Sequence, residues 1–160
     1  MDTSTRALEL VRSLRERERF NKIDYYDPYP YQRKFHKTGS EANQRLLMAA
    51  NRIGKSFSGA SEMSYHLTGL YPDWWEGRKF TQPITAWAGG VSNETTRDIV
   101  QYELLGSPDD PAAFGSGTVP RNKIIKTERK PGVPNAKSVA LIQHVTGGNS
   151  SLFFKAYEMG

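Results

Sequence analysis

Apolar and polar positions alternate along this chain with two clear periods, and the switches between them mark out the elements. Over residues 4–20, Leu8, Val11 and Leu14 share one stripe among Arg and Glu, which predicts an amphipathic accessory helix. Glu18 and Lys22 stand at the favourable i, i+4 spacing. The Tyr- and Pro-rich stretch 24–31 then breaks helix and strand alike, because its prolines fix φ and restrict the residues before them. A short helix restarts at Tyr31 and ends near Gly39. The apolar run of strand 45–50 enters Asn51-Arg52-Ile53-Gly54-Lys55-Ser56, and Phe57, Ala60, Met63 and Leu67 follow on one face of a helix over 55–68.

Gly69, Pro72 and Gly77 mark a turn-rich connection that holds Trp74 and Trp75, and these two read as packing anchors for the loop. Residues 84–91 have the length and composition of a buried strand. Ser92 or Asn93 is placed to cap the next helix, whose Ile99, Val100, Leu104 and Leu105 are expected to pack inward. Ile124-Ile125 falls in a third strand after a loop over 106–120. Residues 139–145 and 152–157 flank Thr146-Gly-Gly-Asn-Ser as a β-hairpin. Strand and helix in alternation predict an α/β fold, a parallel sheet flanked by helices through right-handed crossovers, with a C-terminal β-hairpin.

The order strand, loop, helix at 45–68 carries the chemistry. A loop between a strand and a helix N-terminus aims backbone N–H groups and the positive end of the helix dipole at one point, where a polyphosphate fits. Ala49 to Ser56 follows the phosphate-loop pattern G-x-x-x-x-G-K-[ST], with Ala49 where the first Gly is expected. Lys55 is then placed for the β/γ-phosphates and Ser56 for Mg²⁺, while Ala50, Asn51, Arg52, Ile53 and Gly54 form the cradle. The competing reading of G-K-S is a polar turn before a helix.

Composition narrows the class. The chain has 160 residues, about one domain, and no cysteine, so neither a disulfide framework nor a thiolate metal site is available. His36, His66 and His144 are scattered without zinc-site spacing, and His66 and His144 read as structural, as do the methionines. There is no run of 18 apolar residues for a membrane span, and the charged N-terminus is unlike a secretory signal. The formal net charge is +5. Part of it is local: Arg121, Lys123, Lys126, Arg129, Lys130 and Lys137 face a single acid, Glu128, within 121–137. Such a segment suits a polyanionic partner or is an ordinary solvated face.

The stretches YPYQRKFH, MAANRIGKSFSGASEMSYHLTGLYPDWWEGRKF and WAGGVSNETTRDI together resemble the N-terminal ATPase region of the large terminase subunit of tailed bacteriophages, the motor that pumps DNA into a capsid. The resemblance spans roughly residues 24–160, leaving 1–22 as an accessory helix and 23–160 as the N-terminal part of an ATPase domain. It implies a P-loop NTPase-type fold, ATP with Mg²⁺, and as partners double-stranded DNA, the portal protein and the small terminase subunit. It further implies a homo-oligomeric ring working in the host cell cytoplasm, away from membranes. Arg52 matches the arginine of the terminase loop, proposed in that family as an arginine finger or nucleotide sensor. A cation there would stabilise charge on the transferring phosphoryl; the alternative is a salt bridge at the loop mouth. Tyr31 and Gln32 resemble the family's adenine-reading element, Gln pairing with the base edge and Tyr stacking on its face. Lys123, Lys126, Arg129 and Lys130 are the candidate nucleic-acid contacts.

An ATPase of this type also needs an apolar strand ending in Asp-Glu, and none is present in these residues; Glu158 after 152–157 is a poor substitute. In the family pattern that strand lies downstream, so the sheet is expected to be incomplete, with an exposed edge, and the chain alone to bind nucleotide weakly and hydrolyse it poorly. Two other readings remain open: a helicase-like nucleic-acid ATPase, and a non-enzymatic module that binds through 121–137.

Overall fold

A computed structural model describes residues 3–157; Glu158 lies outside them. Helix α1 spans Thr3–Phe20, α2 Pro30–Thr38 and α3 Lys55–Thr68. A helical run follows, made of α4 (Asn93–Thr95), a π-helical turn (Thr96–Gln101) and α5 (Tyr102–Leu105). The strands are β1 (Thr85–Gly90), β2 (Ile124–Arg129), β3 (Lys137–Gln143) and β4 (Asn149–Ala156). They form one sheet in the order β1-β4-β3-β2.

The expected parallel sheet is corrected. Only β1 and β4 run parallel, whereas β4–β3 and β3–β2 are antiparallel. Connection length explains this. Short turns at 130–136 and 144–148 join β2, β3 and β4, and a short turn reverses the chain, while β1 reaches β4 only after the helical run and the hairpin strands. Gly147 and Gly148 carry the second turn at φ 93° and 77°, a conformation that side chains disfavour.

Strand 45–50 is the second correction. The segment is extended but joins no ladder among the described residues, and Leu46 and Met48 are 79% and 80% exposed. An apolar run signals a strand only if a neighbouring edge lies beside it, and the sheet does not extend to this one. Met48 therefore packs nothing away, contrary to its reading as a structural methionine. Among the described residues the outer edge of β1 is also unpaired, and Trp87 on it is exposed under the Lys155 ammonium.

One core joins α3, the helical run and the sheet through Leu67, Leu104, Leu105, Val119, Ile142, Leu152 and Phe154. The Ser92 cap is as expected, its Oγ accepting from the Thr95 N–H. Ile99 is half exposed instead of buried. The π-helical turn adds a residue to its cycle and so rotates Ile99 away from the face that a 3.6-residue period assigns it. A second cluster packs Ile23, Tyr26, Tyr65 and Trp75 with Trp74 at its margin, so both tryptophans anchor the connection after α3. Leu8, Val11 and Leu14 of α1 are all exposed; the helix meets the body at its last turn, where the Arg121 guanidinium lies 3.7 Å from the Phe20 ring centre. Among the described residues no helix is long and apolar enough to cross a membrane.

Candidate nucleotide site at the 49–56 loop

The loop is shaped by two left-handed residues. Gly54 (φ 78°) is the N-cap of α3, and its carbonyl accepts the first helical bond from the Ser58 N–H. Arg52 (φ 63°) adopts the same region although it carries a Cβ, at a cost of about 1–2 kcal/mol. Backbone strain of this kind is often found where a loop is shaped for a ligand. Ala49 is not among the positive-φ residues, which explains why Ala is tolerated where the pattern has Gly.

Lys55 folds back over the loop, and its Nζ donates to the Ala49 and Ala50 carbonyls, each at 2.6 Å. The ammonium is thereby held inside the curve of the loop. Asn51, Arg52 and Ser56 are exposed. Arg52 has no hydrogen-bond or ion-pair partner among the described residues, so the salt bridge considered for it is not formed. No cluster of acidic or histidine side chains suited to a metal is present among the described residues. The exposed Ser56 hydroxyl on the first turn of α3 is compatible with Mg²⁺, which takes few protein ligands and completes its shell with water and phosphate oxygens.

α2 sits against the loop. The Tyr31 hydroxyl donates to the Ile53 carbonyl, and Gln32 Nε2 donates to the Gly54 carbonyl at 3.3 Å. Gln32 Oε1 accepts from the Tyr29 N–H at 2.8 Å, so both ends of this buried amide are bonded to the chain itself. The partly exposed Tyr31 ring lies parallel to that of Tyr29, with centroids 6.0 Å apart. The structure thus brings Tyr31 and Gln32 to the loop, with the amide engaged on its backbone and the aromatic face on the surface.

Beneath this contact lies a buried polar cluster to which no motif pointed. His36 Nδ1 is 2.6 Å from Glu62 Oε2, and its Nε2 faces the Tyr26 and Ser58 hydroxyls at 3.0 and 3.2 Å. Arg45 pairs with both Glu62 oxygens, and His66 Nε2 lies 3.4 Å from Oε1. Burial alone would push the Glu62 carboxyl up, but hydrogen bonds from His36, His66 and Arg45, with the Arg45 charge, outweigh it and hold the group well below the ordinary carboxylate range. The i, i+4 spacings of Gln32 with His36 and of Glu62 with His66 are local signals; Arg45 and Glu62 are brought together by the fold.

Ser56 also borders a cavity of about 240 Å³ with Met63, Ala88, Val100 and Glu103. Burial pushes the Glu103 carboxyl up, against a smaller opposing pull from Lys22.

The basic segment lies elsewhere. β2 is the sheet edge opposite β1. Arg121 is spent on the Phe114 and Ala112 carbonyls, and Lys126 on Glu128 at 3.1 Å. Lys123 closes a 3₁₀ turn, and Arg129 and Lys130 lie where β2 runs into its turn.

Among known proteins, the family described as "Terminase large subunit, T4likevirus-type, N-terminal" matches residues 46–160. The "Terminase, large subunit" of Salmonella phage P22 is 34% identical over 173 aligned positions, which cover 96% of this chain and 35% of that protein. The chain therefore spans about a third of the length of the curated relative it matches. No solved structure matches.

Proposed function

The chain belongs to the phage terminase large-subunit family, and from that premise we propose that its 49–56 loop binds ATP with Mg²⁺ as part of a DNA-packaging ATPase. The observation that carries the reading is the Lys55 ammonium, turned into a loop that Gly54 and Arg52 shape immediately before α3. In this reading Lys55 moves from the Ala49 and Ala50 carbonyls to the β/γ-phosphates. Arg52, exposed and unpaired, stabilises charge that spreads over the transferring phosphoryl. The Ser56 hydroxyl is a ligand for Mg²⁺, which supplies neutralisation of the phosphate charge. Tyr31 offers its ring to the adenine, while Gln32 fixes the loop or exchanges the Gly54 carbonyl for the base edge.

In the longer protein, hydrolysis would drive double-stranded DNA into a procapsid, with the portal protein and small terminase subunit as partners in an oligomeric ring in the host cytoplasm. Arg129 and Lys130, with Lys123 and Lys126, are proposed to meet DNA phosphates from the β2 edge. Alone, residues 1–160 are proposed to bind nucleotide but to turn it over poorly, since no apolar strand ending in Asp-Glu occurs in them. The test is titration of a fluorescent ATP analogue with Mg²⁺ into the wild type and Lys55→Ala. Saturable binding that the variant loses supports the reading; equal binding by a folded variant overturns it.

A further inference from the structure

The buried cluster under α2 is arranged around one carboxylate with three attachments, and each attachment leads to a different side of the loop. Arg45 stands at the head of the extended segment that enters the loop, and its Nη1 also donates to the Phe35 carbonyl of α2 at 2.9 Å. Glu62 is on α3, which leaves the loop at Lys55. His36 is on α2, one turn beyond the Tyr31 and Gln32 side chains that bond the Ile53 and Gly54 carbonyls. Ser58, on the first turn of α3, closes the arrangement through the Tyr26 hydroxyl at 3.0 Å. The side chains of His36 and Glu62 are only 1% and 8% exposed, so solvent does little to loosen them.

We propose that Glu62, through Arg45 and His36, is a positioning residue for the phosphate loop: it fixes the spacing between the segment entering the loop, the helix leaving it and the α2 turn above it, and so sets nucleotide affinity without contacting nucleotide. The proposal rests on the nucleotide-binding reading above. A phosphate cradle needs its donors held to a fraction of an ångström; Asn51 and Arg52 are exposed and make no side-chain bond among the described residues, and the bonds that Lys55 makes to the Ala49 and Ala50 carbonyls are the ones it gives up on reaching phosphate. The constraint has to come from the flanks, and both flanks end on the same carboxylate.

Two readouts test this on the wild type, Arg45→Met, Glu62→Gln and Leu152→Ala, the last a core truncation on β4 that removes no atom of the cluster. They are the dissociation constant of a fluorescent ATP analogue with Mg²⁺ and hydrogen exchange of the Ser58 amide, which is bonded to the Gly54 carbonyl of the loop, at a temperature where circular dichroism shows each protein folded. The account expects Arg45→Met and Glu62→Gln to weaken binding and speed this exchange by about tenfold each, and Leu152→Ala to move neither at a matched loss of thermal midpoint. Arg45, at the rim of the cluster, carries the test should Glu62→Gln not fold. Unchanged affinity and exchange in folded Arg45→Met, or equal changes in Leu152→Ala, overturn the proposal. If the wild type binds no analogue, the nucleotide reading falls by itself, and exchange alone then decides whether the cluster holds the loop: faster exchange in Arg45→Met supports it, unchanged exchange removes it.

Discussion

Replacing Glu62 by Gln leaves nearly the same shape in the same place and removes one charge, so its effect isolates the electrostatics of the cluster. The Glu62 side chain is 8% exposed and that of Arg45 21%. Removing one member of a buried ion pair costs about 3–5 kcal/mol, because the remaining charge stays desolvated. Two features lower the figure here: water reaches part of Arg45, and the amide oxygen can still accept one of the hydrogen bonds. The expected loss is about 2–3 kcal/mol, which in a domain of this size lowers the thermal midpoint by about 5–10 °C. Circular dichroism melts and urea titration at pH 7 measure both quantities. The pH dependence adds a sign. The Glu62 carboxyl is depressed in the folded state from its ordinary value of 4.5. Its contribution is therefore complete above that value and is lost as pH falls through the folded-state value. Wild type and variant should converge in strong acid. A variant within about 0.5 kcal/mol of wild type at pH 7, or a gap undiminished near pH 2, would refute the reasoning.

Two glycines should respond in opposite directions to Ala. Gly59 lies inside α3 with nothing within 4 Å of an added Cβ, so Gly59→Ala should stabilise by about 0.5–1 kcal/mol in urea titration. At Gly117 the Cβ would fall 2.3 Å from the Leu104 carbonyl carbon, and Gly117→Ala should destabilise by about 2–4 kcal/mol. Glu103→Gln should raise the thermal midpoint at neutral pH: a carboxyl pushed up by burial makes the folded state less stable as pH rises through and beyond its ordinary 4.5, and the gain should shrink as pH is lowered below that value.

What the sequence made legible was local. The Ser92 cap and the Gly147-Gly148 hairpin each depend on residues a few positions apart and took the expected form, as did Ala60, Met63 and Leu67 on α3, while Phe57 turns to the second cluster. Strand direction depends on how strands are connected, so counting alternating elements suggested a parallel sheet where β2, β3 and β4 form a meander. Residues 45–50 show that an apolar run is necessary for a buried strand but not sufficient, and Ile99 shows how one π-helical turn defeats a 3.6-residue period. The loop residues 49–56 and their neighbours Tyr31 and Gln32 were legible from motif and resemblance, whereas the Arg45–Glu62 and His36–Glu62 pairs, 17 and 26 residues apart, were not. The basic run 121–137 shows why charge counts mislead: Arg121 is held by the Phe114 and Ala112 carbonyls, whereas Lys126 meets only the exposed Glu128.

The central claim, that residues 49–56 cradle a polyphosphate, is tested most directly by calorimetric titration of the folded chain with ATP, ADP and AMP in the presence of Mg²⁺. The account predicts saturable binding of ATP and ADP at one site and a loss of affinity of at least about tenfold for AMP, which lacks the phosphates that Lys55 would reach. Equal affinity for all three, or none for any, would contradict it.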